Sequence, residues 1–394
     1  MLVTGSTICG VLPLEKGRKM EFDWTEEESD RYGQIYSRTK LWPAPDLDFF
    51  TAVEWKLCAG LGLLGLSIPE KYGGEGCGFL ATARAVEAFG RGAPDMGLVF
   101  SAMAHLFACA MPIVEHGDEG MHREILPRLS SGEWVGANAI TEEGAGSDVT
   151  RLATRAERDG GAYVLTGEKS FVSNGPAANV FVIYATSQPD LGYLGVSAFA
   201  VQRDTPGLVI GEPFRKLGLD RCPASTLRLD HCVVPASRRL GGEGQGAAIF
   251  QAAMRWERTC LFAAYVGRIE RLTELCADHA RTRIQFGRPI GSNQAISHRL
   301  ARMRVRLEAA RLLLWRACWL LEHDEPASAE VAMAKLAISE AAAESAMDAV
   351  RIFGGDGIRS DCGIERELRD AVPSLIFSGT SEMQLELIVR ELGL

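Results

Sequence analysis

Between about residues 24 and 133, apolar residues recur every three or four positions, as in Phe49–Leu66 and Phe79–Gly90. That spacing predicts helices. Breakers at Ser67–Gly76 and Gly90–Asp95 divide them. From 134 to 241 the pattern changes. Short runs rich in Val, Phe, Tyr and Thr alternate with Gly, Asn, Asp and Pro: Ala162–Asn174, Asn179–Thr186, Gly195–Gln202, Gly207–Phe214 and Ser225–Pro235. This is strand-and-turn spacing, with Thr166–Lys169 read as a hairpin turn. About eight short strands predict a small antiparallel barrel or sandwich. From 243 onward the helical pattern returns, with long helices expected near 246–281, 294–323, 327–352 and 380–391. The third is dense in alanine, which allows close helix–helix approach. No internal repeat or low-complexity tract interrupts the chain. The expected class is α+β: an N-terminal extension (1–19), a helical domain (20–133), a β-domain (134–242) and a helical bundle (243–394).

The 394 residues carry a net charge of −9. Such a chain is poorly suited to general nucleic-acid binding, which needs clustered Lys and Arg to neutralise phosphates. No run of about 18 uninterrupted apolar residues predicts a membrane span. The ten cysteines form no CxxC pair, and the first nineteen residues lack a basic segment ahead of their apolar stretch. These features point to reduced thiols and a cytoplasmic setting.

Gly60, Gly62 and Gly65 spell GxGxxG. A dinucleotide fingerprint needs a strand before it and a helix after it. Here a helix precedes it and a turn follows, so small residues packing a helix end are the better reading. The seven histidines are isolated, without metal-ligand spacing. No GxSxG elbow anchors a nucleophilic serine.

The segment Asn138–Asp148 is more informative: a strand runs into a Gly-rich loop containing Thr141, Gly146 and Ser147. Free backbone N–H groups there could meet an anion, or the loop could be a plain turn. In Lys169–Gly175, strand alternation would place Phe171 and Ser173 on one face. An aromatic plane beside a hydroxyl suits a flat heteroaromatic ring; the alternative is barrel core. Arg281–Gln294 sets Gly and Pro among cationic residues, for phosphate binding or for a helix–helix turn. Arg299, Arg302 and Arg306 follow at helical spacing and read as a solvated or intersubunit face. Val350–Gly357 ends a helix on Gly-Gly, either a cap or a close approach to a ligand. Glu257 has only uncharged helical neighbours in Ala253, Met254, Cys260 and Leu261. Desolvation there would raise its pKa and its strength as a base, unless a basic residue from elsewhere pairs with it.

Together, in this order, the segments resemble the acyl-CoA dehydrogenase family from Met20 to Leu394. TEEGAGSD is similar to that family's TEPGAGSD, and KSFVSNG to K-x-W-I-T-N-G. RTRIQFGRPIGSNQ, RIFGGDG and FSGTSEMQ resemble three further family motifs. The resemblance implies a helical domain, an antiparallel β-barrel and a four-helix bundle, with FAD bound between the last two. By matching positions, Ile140 and Thr141 would meet the flavin edge, and Phe171 and Ser173 would flank the ring. Gly146 and Ser147 would lie by the pyrophosphate. Arg283, Phe286, Gln294, Arg351 and Gly355 would reach the FAD of a neighbouring subunit, and Thr380 and Glu382 would contact the cofactor near the last helix. Such shared sites imply an obligate oligomer, commonly a homotetramer.

Three positions depart from the pattern: Glu143 replaces Pro, Phe171 replaces Trp, and Ser378 stands where the family's usual base is Glu. A serine is too weak a base for an α-proton. Isovaleryl- and long-chain-type members carry their Glu on the first helix of the C-terminal domain beside an Arg, and Glu257-Arg258 matches that placement. The closest resemblance is to the prolyl-carrier-protein dehydrogenases of pyrrole biosynthesis, in stretches such as Trp256–Gly267 and Ile376–Gln384. That subgroup implies an L-prolyl thioester on the phosphopantetheine of a peptidyl carrier protein, four-electron oxidation to a pyrrolyl thioester, and oxygen as flavin oxidant. A short branched-chain acyl-CoA, another carrier-bound acyl group, or a non-catalytic flavoprotein partner are the competing readings.

Overall fold

The computed structural model describes residues 20–43 and 49–393, so the expected extension 1–19 lies outside the described residues. The N-terminal part contains α1 (Glu26–Thr39), α2 (Ala52–Gly60), α3 (Phe79–Gly92), α4 (Met96–Met103), α5 (Met111–His116) and α6 (Glu119–Ser130). Thr25 and Thr51 cap α1 and α2 with capping boxes to Glu28 and Glu54. A π-helical stretch, Ala104–Ala110, joins α4 to α5. The resulting helix, Met96–His116, is apolar enough to cross a membrane by length and composition. Yet 94% of its most apolar window is buried inside the protein, which makes it a core helix. The Gly60–Gly65 segment closes α2 as expected; a side chain at Gly65 would collide with Ser130 Cβ at 2.8 Å.

The strands are β1 (Gly136–Ala139), β2 (Arg155–Asp159), β3 (Ala162–Ser173), β4 (Val180–Thr186), β5 (Val196–Gln202), β6 (Leu208–Ile210), β7 (Ala224–Pro235) and β8 (Arg239–Leu240). They form one eight-stranded sheet in the order β6-β7-β3-β2-β4-β5-β8, with β1 beside β4. Pairing is antiparallel except for β1–β4 and the single β2–β4 pair. Residues from six strands, including Ala137, Ala156, Tyr163, Phe181, Phe199 and Leu229, meet in one cluster. Only a curled sheet brings six strands together this way. The alternate residues of β4, Val180, Val182 and Tyr184, pack into the helical core instead. This two-sided burial leaves β4 buried at every position and apolar up to its terminal Thr186.

Thr166–Lys169 is not a hairpin turn. It lies inside β3, where the register shifts between Leu165 and Gly167. Gly167 has φ +151, and a Cβ there would meet Thr154 Oγ1 at 2.6 Å. Glycine in a strand marked a bulge and a close approach, not a chain reversal. A second shift, between Lys169 and Val172, breaks the alternation expected of Phe171 and Ser173.

The C-terminal part contains α7 (Gly246–Trp256), α8 (Phe262–Thr282), β9 (Ile284–Gln285), β10 (Arg288–Pro289), α9 (Gln294–Glu322), α10 (Ser328–Phe353), α11 (Ile364–Ala371) and α12 (Ser381–Glu391). A π turn, Glu257–Leu261, links α7 to α8 without a break. The alanine face of α10 packs closely on α8 and α9. Arg299 and Arg306 are not simply solvated: both bridge Asp348 of α10, at 2.6 and 2.8 Å, and so clamp α9 to α10.

Candidate active site

Glu257 is the first residue of the π turn, a local widening often found at functional sites. Trp256 fixes its position. That indole stacks on Phe79 at 3.7 Å and donates to Glu115 at 2.7 Å. Ala253, Met254, Cys260 and Leu261 are all buried, as their sequence spacing required. Glu257 is half-buried, and its desolvation pushes the pKa up to about 7. Two influences oppose that rise: the hydroxyl of Ser378, donating to Oε2 at 2.7 Å, and the nearby charge of Arg258. Arg258 does not pair with the carboxylate; its Nε donates to the Ser378 carbonyl at 2.9 Å. The alternative of a remote basic partner for Glu257 therefore fails among the described residues. Ser378 and Glu257, 121 residues apart, are brought into direct contact.

The Gly-rich loop and β3 also meet. Ser170 N–H donates to the Thr141 carbonyl at 2.8 Å. Ile140 is buried and Thr141 half-buried, whereas Gly146 and Ser147 are exposed. Phe171 has φ +55 and is 70% exposed, with the Phe214 ring 5.4 Å away. It is therefore not barrel core. Ser173 is half-buried one bulge further along.

Arg283, Phe286 and Gln294 surround the β9–β10 hairpin and are all exposed. Phe286, at φ +52, is 97% exposed. The hairpin packs on α8 through β10. His279, one turn before Arg283, stacks on Phe353 at 4.1 Å. This places the hairpin beside exposed Arg351 and Gly355 at the end of α10. Thr380 caps α12, and Glu382 is exposed in its first turn.

Sequence reasoning missed what braces the loop. Lys169 is fully buried, and its Nζ donates to Glu142 Oε1 at 2.6 Å and to the Ile140 carbonyl at 3.2 Å. Glu142 also accepts from the amides of Ala153 and Thr154, at 2.6 and 3.1 Å. Burial pulls the Lys169 pKa down to about 8, while Lys169 and these hydrogen bonds keep Glu142 below the usual carboxylate range despite its own desolvation. No local sequence signal marked it: Lys169 stands between Glu168 and Ser170. Asn174, buried at φ +64, similarly ties β3 to the Ser101 and Gly136 carbonyls.

These surfaces fit a flat, anionic cofactor. Phe171 offers an exposed ring, and no heavy atom lies within 4 Å of where a Cβ would stand on Gly146 or Gly355. Backbone amides there are open to a phosphate.

Comparison with known proteins agrees with this geometry. Profiles of the acyl-CoA dehydrogenase N-terminal, middle and C-terminal domains match residues 34–133, 137–232 and 244–393. The chain belongs to the acyl-CoA dehydrogenase family. Among family members, the L-prolyl-[peptidyl-carrier protein] dehydrogenase of Pseudomonas fluorescens is 56% identical over 88% of this chain and 91% of that one. A protein of the same name from Serratia sp. is 41% identical over 95% of this chain and 99% of that one. The solved structure of PigA with FAD and proline superposes with a TM-score of 0.92 at 40% identity, covering 95% of this chain and 99% of that one.

Proposed function

We propose that this acyl-CoA dehydrogenase family member oxidises an L-prolyl group, held as a thioester on the phosphopantetheine of a peptidyl carrier protein, to the pyrrolyl-2-carboxyl thioester. The observation that carries the chemistry is the carboxylate of Glu257, half-buried among apolar neighbours with the Ser378 hydroxyl on Oε2 and its pKa pushed up to about 7 by desolvation. The prolyl-carrier relatives, matched over nearly their whole length, support the substrate.

A thioester acidifies the adjacent α-hydrogen, and Glu257 takes that proton at a carboxylate oxygen. A base with a pKa near the working pH is ionised yet still strong. FAD, when bound, supplies the acceptor for the hydride leaving the β-carbon. Ile140, Thr141, Phe171 and Ser173 would flank its ring, and Gly146 and Ser147 its pyrophosphate. Thr380 and Glu382 would hold it near α12. Arg283, Phe286, Gln294, Arg351 and Gly355 would serve the FAD of a neighbouring subunit in a homotetramer, which accords with their exposure. A second two-electron oxidation and tautomerisation would complete the aromatic ring, for a total loss of four hydrogens. The nine cysteines among the described residues are free thiols, in keeping with a cytoplasmic setting.

Mass spectrometry of L-prolyl-loaded carrier protein, incubated with the purified flavoenzyme in air, tests the reading. Loss of four hydrogens is expected. An unchanged prolyl species, with isovaleryl-CoA oxidised in a parallel tube supplied with an artificial electron acceptor, would reassign the protein to acyl-CoA oxidation.

A further inference from the structure

Ser378 replaces the family's usual base, and its setting is too elaborate for a vacated position. The residue adopts φ +55, a left-handed conformation that non-glycine residues rarely take. Such strain persists only where the surroundings over-determine it. Here they do. Phe377, just before it, packs among Phe100, Phe262 and Tyr265 with ring centroids 4.7, 5.1 and 6.3 Å away. The Ser378 carbonyl accepts from Arg258 Nε at 2.9 Å. Fully buried Gln384 donates from Nε2 to the Gly379 carbonyl at 3.0 Å and more weakly to that of Ser378. Backbone and side chain are thus held from three directions.

The result is a hydroxyl aimed at a carboxylate. Ser378 Oγ has one proton to donate and gives it to Glu257 Oε2 at 2.7 Å, its one hydrogen bond among the described residues. Glu257 Oε1 accepts none among them. The two carboxylate oxygens are therefore inequivalent: one is anchored, the other is left to react.

We propose that Ser378 is a positioning residue for the base, fixing Glu257 through Oε2 so that Oε1 faces the α-hydrogen of the substrate. This inference rests on the reading of Glu257 as base. The serine also has an electrostatic consequence. A hydroxyl donor favours the ionised carboxylate and so works against burial, which drives the acid toward its neutral form. Losing the hydroxyl while keeping the fold should raise the pH at which Glu257 ionises.

The experiment uses the FAD-loaded enzyme with two replacements, Ser378→Gly and Ser378→Ala. Glycine accepts φ +55 without strain, so S378G keeps the loop conformation even if S378A does not. Two readouts are taken: the acid limb of kcat/KM against pH, and infrared titration of the protonated carboxyl band that Glu257→Gln abolishes. Both variants are expected to move both midpoints upward by about one pH unit, the size of a hydrogen bond to a charged group. FAD content should stay at the parent level. An unmoved infrared midpoint in S378G would overturn the positioning role, as would shifts of opposite sign in the two variants. Failure of the underlying reading looks different: the infrared shift would appear, but E257Q would turn over substrate at the parent rate.

Discussion

Glu257 and Phe286 lie 29 residues apart in the C-terminal part, yet one carboxylate is half-buried and hydrogen-bonded and the other side chain is 97% exposed. Around Glu257 every constraint is internal to the chain. Trp256 is wedged against Phe79, Ser378 holds Oε2, and Arg258 and Gln384 hold Ser378. Around Phe286, Phe171, Arg283 and Gly355 the chain presents open surface, with both rings at positive φ. A base must be desolvated to be strong near neutral pH, so the fold itself has to complete its surroundings. A residue meant for a cofactor or a second subunit must instead stay accessible until that group arrives. On the proposed function, the contrast separates the part of the site that one chain can finish from the part that FAD and a neighbouring subunit would complete.

The sharpest way to break the comparison is Glu257→Gln. It should lower kcat by about 10²- to 10⁴-fold while the flavin absorbance is retained. Turnover within tenfold of the parent would remove Glu257 from the internal half. Lys169→Met comes next, because it leaves Glu142 buried without its partner. A loss of about 3–5 kcal/mol is expected in denaturant unfolding. The double variant K169M/E142Q should recover part of it. Phe286→Ala and Phe171→Ala probe the exposed half. Each should weaken FAD retention by about tenfold, the scale of one aromatic contact, with little change in unfolding of the FAD-free chain. F286A alone should also shift the assembly state in sedimentation. A large unfolding change in either variant would place that ring in the core after all.

The smallest effect concerns pH. In the proposed role Glu257 must be ionised to act, and burial pushes its pKa up to about 7, so kcat/KM should rise with pH through that value. Stability runs the other way. A carboxyl whose folded pKa exceeds its ordinary value of 4.5 favours folding below 4.5, and that contribution is lost as pH rises through about 7. E257Q should therefore melt above the parent at pH 8 and close to it at pH 4.

Much of the fold was legible in periodicity alone. The four long C-terminal helices fall within a few residues of their expected bounds, because long amphipathic or alanine-rich stretches leave little choice. The strands were legible too, but their irregularities were not. Thr166–Lys169 reads as a turn because glycine signals both a reversal and a bulge, and only the approach of Thr154 decides between them. Likewise the apolar helical neighbours of Glu257 were visible at i±3 and i±4, whereas its hydrogen-bond donor was 121 residues away.

The sequence by itself determined the order of helical, strand and helical zones, the desolvated setting of Glu257, and the motifs that mark the family. Tertiary structure alone decided that Ser378 serves the carboxylate, that Lys169 and Glu142 brace the Gly-rich loop, and that Arg299 and Arg306 clamp α9 to α10 through Asp348. The reason is physical. Periodicity and propensity act over a few residues, while a buried hydrogen bond or ion pair depends on two distant segments whose meeting is set by the packing of everything between them.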